Sequence, residues 1–377
     1  MSERTFFGFD FVVFIASIIL MIVGVLFIYS SGVSSTGMVV SNEYIKQIVW
    51  VVSGVILLLI VSFVDYSHFR NLALYAYVGL VILLIATLLF GKVVNGSRSW
   101  LGIFGFGVQP SEFMKISSII MLARYYESHQ KDIRKLSCFL RSLLIIFVPM
   151  LLILAQPDLG TALVFIPIFL AMSYIAGAKK EYVFFLALTG TVMIFFTILP
   201  YYEKFILKRE IFALKVFTDT SLLKYLLVSI FLIIAISLIG YLKFKKKYFY
   251  WIIYFGLILL LGLGASVAAR SVLKEYQVMR LIVFMDPGVD PKGTGWNIIQ
   301  SVTAVGSGGT WGKGFLQGTQ SHYRFLPQQS TDFIFSIIAE EWGFAGSFLI
   351  LFLFGLIIIR GLFITLHAKD RFAAYTG

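Results

Sequence analysis

The chain alternates long apolar runs with short polar breaks, and the runs have the length of a bilayer rather than of a globular core. A helix that crosses the hydrocarbon needs about 20 apolar residues. On that criterion the pattern predicts about ten spans, at residues 11–29, 48–64, 72–90, 111–126, 139–155, 159–175, 182–199, 225–241, 248–268 and 344–362. One polar stretch interrupts the alternation. Residues 270–331 are rich in glycine and hold Asp286-Pro287-Gly288-Val289-Asp290-Pro291, Gly293-Thr294-Gly295, Gly306-Ser307-Gly308-Gly309, Lys313 and Gly318-Thr319-Gln320-Ser321. Loops of this length are functional or disordered. Trp296, Ile298, Ile299, Trp311, Phe315, Phe325 and Leu326 give it too much apolar surface for a disordered linker.

Composition excludes the ordinary soluble classes. Of the 377 residues, 59% are hydrophobic and 13% charged, where a soluble domain carries about 25% charged residues. The fold class is all-α, a polytopic membrane protein with one integral-membrane domain over residues 1–377. The net charge of +12 lies between the spans, which marks membrane topology and not a nucleic-acid partner. Cys138 is the single cysteine, so an intrachain disulfide and a cysteine metal site are both excluded. Met1-Ser2-Glu3-Arg4 leads straight into a full-length apolar run, an uncleaved first span rather than a signal peptide. No internal repeat is visible, which argues against a transporter built from repeated halves.

Lysines and arginines set the orientation. With the N-terminus in the cytoplasm, the inner connections hold Arg70; Lys131, Arg134 and Lys135; Lys179 and Lys180; Lys243, Lys245, Lys246 and Lys247; and Lys369 and Arg371. The outer connections lack such runs except near Lys204, Lys208, Arg209 and Lys215, a partly amphipathic stretch suited to the interface. The segment 270–331 then falls outside, with the loops 95–109 and 156–158. Tyr201-Tyr202 and Tyr248-Phe249-Tyr250-Trp251 fit interfacial belts.

Several polar residues on that outer face are candidates for chemistry. Glu112 and Lys115 are three apart on one predicted helix face. They are either a pair that steadies a helix end or part of a polar cavity for a charged ligand. Arg98, beside Trp100, is either an interfacial anchor or a phosphate grip. Asp158 opens a helix and reads as an N-cap, and Thr331-Asp332 reads as the start of the last helix. Asp286 and Asp290 each precede a proline, a turn arrangement. A carboxylate partly dehydrated near a membrane would have a raised pKa, which suits a general base acting on a hydroxyl. The glycines 293–318 lack the strand–turn–helix context of a nucleotide fingerprint. Lys313 among them suits a pyrophosphate. Glu340 and Glu341 either pair with outer cations or line the same cavity. His322, the sole histidine expected outside, argues against a zinc site, while oxygen ligands for a hard divalent cation such as Mg or Mn stay open.

The segments 95–100 (NGSRSW), 109–115 (QPSEFMK), 156–161 (QPDLGT), 286–295 (DPGVDPKGTG), 299–301 (IQS), 306–309 (GSGG), 318–321 (GTQS) and 331–343 (TDFIFSIIAEEWG) occur in order across most of the chain. Together they resemble the SEDS family (shape, elongation, division, sporulation), and GTQS points to its RodA-like elongation branch. The resemblance implies a SEDS-type helical bundle and a peptidoglycan glycosyltransferase at the outer face of the bacterial cytoplasmic membrane. Its substrate would be lipid II, and its partners a class B penicillin-binding protein transpeptidase and other elongation-complex membrane proteins. The family's essential acidic residue aligns with Asp290, which would accept the proton of an N-acetylglucosamine 4-hydroxyl as that oxygen attacks the donor's anomeric carbon with inversion. Undecaprenyl pyrophosphate would leave, with Arg98, Lys115 and Lys313 as candidate cations, Glu112 holding Lys115, and Gln320 and Ser321 as further substrate-binding candidates. No metal-ligand set is implied.

Three features depart from the family pattern. Ser330 stands where the family commonly has histidine, which excludes a mechanism resting on that histidine. A pair of helices across about 204–274 is extra to the usual ten-span plan. The family pattern continues with two more helices, expected beyond Gly377. A lipid II flippase and a non-catalytic scaffold of the cell-wall synthase are the rival readings.

Overall fold

The computed structural model describes residues 9–377 except 95, 104–105, 209–210, 212–213, 274, 324 and 326–327. Readings that fall on Met1–Arg4, Asn95, Arg209 and Leu326 lie outside the described residues. The predicted spans appear as helices α1 (Phe11–Ser31), α2 (Glu43–Phe63), α3 (Tyr66–Phe90), α4 (Pro110–Ser128), α5 (Leu136–Ala155), α6 (Leu159–Ala176) and α7 (Lys180–Tyr202). After the short α8 (Lys215–Thr218) come α9 (Thr220–Phe244) and α10 (Lys247–Val272). The last predicted span lies in α14 (Ile334–Leu366). Aspartates set several starts: Asp10, Asp65, Asp158 and Asp219 accept backbone N–H groups at the first turns of α1, α3, α6 and α9. Among the described residues, nine helices are long and apolar enough to cross a membrane. The protein is a multi-pass, predominantly helical membrane protein. Helix α4 has the length of a span but carries Glu112, Lys115, Arg124 and Glu127.

The loop at 95–109 contains most of a small antiparallel sheet, with β1 (Lys92–Val94), β2 (Ser97–Ile103) and β3 (Phe106–Val108) in that order. Gly96 makes the first turn with φ +82, a conformation that costs glycine nothing. The Trp100 ring lies where a Cβ on Gly107 would meet it at 2.8 Å. The long polar segment is also ordered: it folds into α11 (Glu275–Met285), a single 3-10 turn at Pro287–Val289, α12 (Trp296–Ser307) and α13 (Thr319–His322). Helix α15 (Arg371–Thr376) ends the chain.

The chain divides into two compact units, residues 1–57 with 188–357, and residues 58–187 with 358–377. In the first, Val23 and Phe27 of α1 pack on Ile337, Ile338 and Ile350 of α14, with Trp342 edge-on to Phe27 at 4.8 Å. Two helices do occupy the stretch 204–274 expected to hold a pair, the α9–α10 hairpin, and they close over Gly240 and Gly256, against Phe249 and Ile234. In the second unit, Leu84, Met114, Tyr126, Phe165, Phe169 and Phe372 form one buried cluster. There the Tyr126 hydroxyl and Ser173 Oγ lie 2.7 Å apart, a hydrogen bond between α4 and α6.

Candidate functional site

The turn at Asp290 is built on its own carboxylate. Oδ1 accepts the N–H of Gly293 at 3.1 Å, and Oδ2 accepts the N–H of Thr294 at 2.8 Å and its hydroxyl at 3.0 Å. The Asp290 carbonyl accepts the Gly295 N–H at 2.9 Å, which leads the chain into α12. A Cβ on Gly293 would push the Asp290 carboxylate out of this position. Asp290 is partly exposed. The Thr294 backbone N–H, then the Thr294 hydroxyl and the Gly293 N–H, hold its pKa below the ordinary 3.8. The raised pKa expected of a dehydrated base is thus not found: donors stabilise the charged form and solvent reaches it. A carboxylate offers about four lone-pair sites, so three donors leave one direction open. Asp286 differs. It caps the adjacent turn through Gly288 N–H at 2.9 Å and is exposed.

A second centre lies at the far end of α12, about 18 Å along the helix axis from the Asp290 turn. Helix α14 breaks at Gly343, whose φ 65 and ψ −158 suit only glycine. The break frees carbonyls just before it. Lys313 N–H bonds the Glu340 carbonyl at 3.0 Å and Gly314 N–H bonds the Glu341 carbonyl at 2.9 Å. The Glu340 side chain is fully buried. Its Oε1 accepts Lys313 Nζ at 2.8 Å, Thr319 N–H at 2.8 Å, Thr319 Oγ at 3.0 Å and Gln320 N–H at 2.9 Å. Its Oε2 accepts the N–H and the hydroxyl of Ser321 at 3.3 and 3.4 Å. The neighbouring Glu341, also fully buried, accepts Ser30 Oγ at 2.5 Å and Leu316 N–H at 3.0 Å, with His322 Nε2 at 3.6 Å. His322 Nδ1 donates to the Val33 carbonyl at 2.7 Å.

The predicted residues Lys313, Gln320 and Ser321 are therefore gathered, but around Glu340 and not at Asp290. Lys313 is neutralised by Glu340, and Ser321 is buried. Gln320 contributes its backbone N–H, while its side-chain Oε1 is buried without a partner. Glu340 and Glu341 are the residues whose role the sequence left open, and their polar neighbours in an apolar helix were the available signal. Helix α14 starts at Ile334, beyond Thr331-Asp332, and Thr331 Oγ bonds back to the Gln328 carbonyl at 3.2 Å.

In the other unit the motifs around 95–100, 109–115 and 156–161 are knitted together. Gln109 Nε2 donates to Asp158 Oδ2 at 2.8 Å, and Asp158 caps α6 through Thr161 N–H at 3.1 Å. Ser97 Oγ and Arg98 N–H both bond the Gln156 carbonyl, at 2.8 and 3.3 Å. Lys115 Nζ pairs with Glu112 at 2.8 Å, the self-neutralising arrangement on one helix face. The Arg98 guanidinium is exposed and reaches the carbonyls of Leu88 and Leu89 at 3.5 Å, near the end of α3. Cations favour that end of a helix dipole. Among the described residues, no three or more His, Cys, Asp or Glu gather as a metal site.

Comparison with known proteins bears on this geometry. The family model for cell cycle proteins of the FtsW/RodA/SpoVE type matches residues 10–221 and 218–376. A peptidoglycan glycosyltransferase RodA of Treponema pallidum is 46% identical over 97% of this chain and 84% of its own length. The stage V sporulation protein E of Bacillus subtilis is 30% identical over 97% of this chain and 81% of its own. A solved peptidoglycan synthase complex that coordinates polymerization and crosslinking contains a chain with TM-score 0.59 and 22% identity, covering 98% of this chain and 81% of that one. The rod shape determining protein RodA of Thermus thermophilus matches with TM-score 0.55 and 18% identity, over 99% and 80%.

Proposed function

The chain belongs to the FtsW/RodA/SpoVE family, and from that premise we propose that it is a peptidoglycan glycosyltransferase that polymerises lipid II at the outer face of the bacterial cytoplasmic membrane. The observation that carries the reading is the 46% identity, over nearly the whole chain, to a relative named for that activity. The N-terminus lies in the cytoplasm on this reading, which the basic inner connections support.

Asp290 is the general base. Its carboxylate is ionised, partly exposed and held in a fixed direction by Gly293 and Thr294, with one acceptor direction left for a substrate hydroxyl. A lipid II 4-hydroxyl loses its proton to that oxygen as it attacks the anomeric carbon of the donor, with inversion. The C–O bond to undecaprenyl pyrophosphate breaks, and the pyrophosphate takes the electron pair. Of the cations considered, Lys115 and Lys313 are each matched to a carboxylate. Arg98, with no ion pair among the described residues, is the one kept for an anion. Among the described residues no three His, Cys, Asp or Glu gather to hold a metal, and a required Mg or Mn ion would supply positive charge to the leaving pyrophosphate. Loss of polymerisation on chelation tests that requirement. A class B penicillin-binding protein is the proposed partner, supported by the fold shared with the chain in the synthase complex.

The test is polymerisation of purified lipid II by the protein with that partner, its transpeptidase blocked. Asp290→Asn abolishes polymer and Asp286→Asn costs less. A folded Asp290→Asn protein that polymerises at the parental rate would remove the base. Lipid II translocation in liposomes, in a parent with no polymerase activity, would replace the enzyme with a flippase.

A further inference from the structure

The α9–α10 hairpin takes no part in the chemistry above. Its charge is one-sided. From residue 220 to 274 the sequence has no Asp or Glu, yet four lysines, Lys243, Lys245, Lys246 and Lys247, crowd one tight turn. Lys245 closes α9 in the left-handed conformation at φ 49, and Lys246 opens α10. Only these two residues separate the helices, so the four ammonium groups cannot spread apart along the chain. All four side chains are exposed, and none makes an ion pair among the described residues. The nearest carboxylates in sequence, Asp219 and Glu275, lie beyond the opposite ends of α9 and α10, about 35–40 Å away at 1.5 Å per residue.

Two other basic connections have carboxylate partners within the protein. Arg70 pairs with Glu127 at 3.2 Å and Lys135 with Asp132 at 2.7 Å. The hairpin turn has no such answer, so its counter-charge comes from outside the protein. Its surroundings say from where. Tyr248, Phe249, Tyr250 and Trp251 follow the lysines directly, and Trp251 is half exposed. Aromatics of this kind sit at headgroup depth, which puts the ammonium groups level with lipid phosphates. Lys243 Nζ also lies 5.5 Å from the Phe244 ring, held close to that belt.

We propose that the α9–α10 turn is a binding surface for anionic phospholipid headgroups. Each lysine near an anionic leaflet strengthens the association about fivefold at low salt, and the attraction fades as the Debye length shortens. The surface works independently of the glycosyltransferase reading. It ties the hairpin to acidic lipid and gives this chain a lipid preference.

Trp251 reports locally, one helical turn from Lys247. The full chain is placed in vesicles containing brominated phosphatidylglycerol or brominated phosphatidylcholine, and quenching of Trp251 is isolated by subtracting the Trp251→Phe protein. The expected result is several-fold stronger quenching by the anionic lipid. That preference disappears in the protein with Lys→Gln at all four positions, survives Lys→Arg, and weakens at about 0.5 M salt. Free phosphate leaves it unchanged, which separates a lipid headgroup from a soluble anion. Equal quenching by both lipids in the parent overturns the proposal. So does a preference that survives Lys→Gln in a protein with the parental thermal midpoint.

Discussion

The hydroxyl of Tyr77 on α3 donates at 2.7 Å to the carbonyl of Ile145 on α5, the acceptor four residues before Pro149. Proline has no N–H, so it strips the carbonyl at i−4 of its helical donor. In hydrocarbon that carbonyl cannot turn to water, and leaving it bare costs several kcal/mol. The other unit uses the same device. Arg270 Nη2 on α10 donates at 2.6 Å to the carbonyl of Phe196, four residues before Pro200 of α7. At both prolines the freed carbonyl is thereby tied to a neighbouring helix.

The device predicts a coupling. Tyr77→Phe removes only the donor and destabilises by about 1–3 kcal/mol. Pro149→Ala restores an N–H to α5, so the Ile145 carbonyl regains its own donor and Tyr77→Phe becomes nearly neutral. Thermal unfolding of the four proteins of the cycle in detergent measures this. A cost for Tyr77→Phe that ignores residue 149 would show that the bond serves something else.

These pairs mark where reading from sequence stops. Apolar length is a local property, so the helices could be located from residue order alone. Tyr77 and Ile145 are 68 residues apart, and Arg270 and Phe196 are 74 apart, so nothing in either run names its partner. The Asp290 turn was half legible: Asp-Pro and glycine announce a turn, but not that Gly293 and Thr294 would lower the pKa of the proposed base. The Glu340 centre was less so, because three of its donors are backbone N–H groups of Thr319, Gln320 and Ser321. A side-chain pattern does not encode those. The small sheet escaped because its strands are short and its glycines read as loop.

Two glycines of the same segment should respond oppositely to alanine. At Gly293 a Cβ meets the Asp290 carboxylate, whereas at Gly306, inside α12, nothing lies within 4 Å. Gly306→Ala gains about 0.4–1 kcal/mol by restricting the unfolded chain. Gly293→Ala displaces the carboxylate and loses its hydrogen bonds to Gly293 and Thr294, about 1–3 kcal/mol. It also lowers polymerisation while Gly306→Ala does not. Thermal midpoints and lipid II polymerisation, measured together, decide the case.

The direction of the Asp290 shift fixes its pH behaviour. Its folded pKa lies below the ordinary 3.8 because the charged form accepts N–H and hydroxyl donors. The stabilisation of the turn is therefore complete above the unfolded value and is lost as pH falls through the lower folded one. Polymerisation should show no acidic limb from Asp290 above about pH 4. Thr294→Val removes one donor and moves the limb of Asp290 upward. A limb near neutral pH that Thr294→Val leaves in place belongs to another group.

Glu340 and Lys313 separate a structural cation from a substrate-binding one. The carboxylate is fully buried, while the Lys313 side chain is 27% exposed. Breaking a buried pair costs about 3–5 kcal/mol, chiefly through the charge left behind. Lys313→Met leaves Glu340 with the hydroxyls and N–H groups of residues 319–321, which still stabilise a negative charge. Glu340→Gln is worse on two counts: it removes charge from donors that cannot rotate away, and turns part of an acceptor into a donor facing them. Adding Lys313→Met to Glu340→Gln does not restore stability, since the backbone donors stay in place. Thermal unfolding should therefore rank the loss as smaller for Lys313→Met than for either protein carrying Glu340→Gln. Polymerisation then assigns the lysine. If Lys313→Met keeps its thermal midpoint and loses polymer, the ammonium serves the pyrophosphate as well as Glu340; if activity falls only in step with stability, its work is to hold the segment 313–321 against α14.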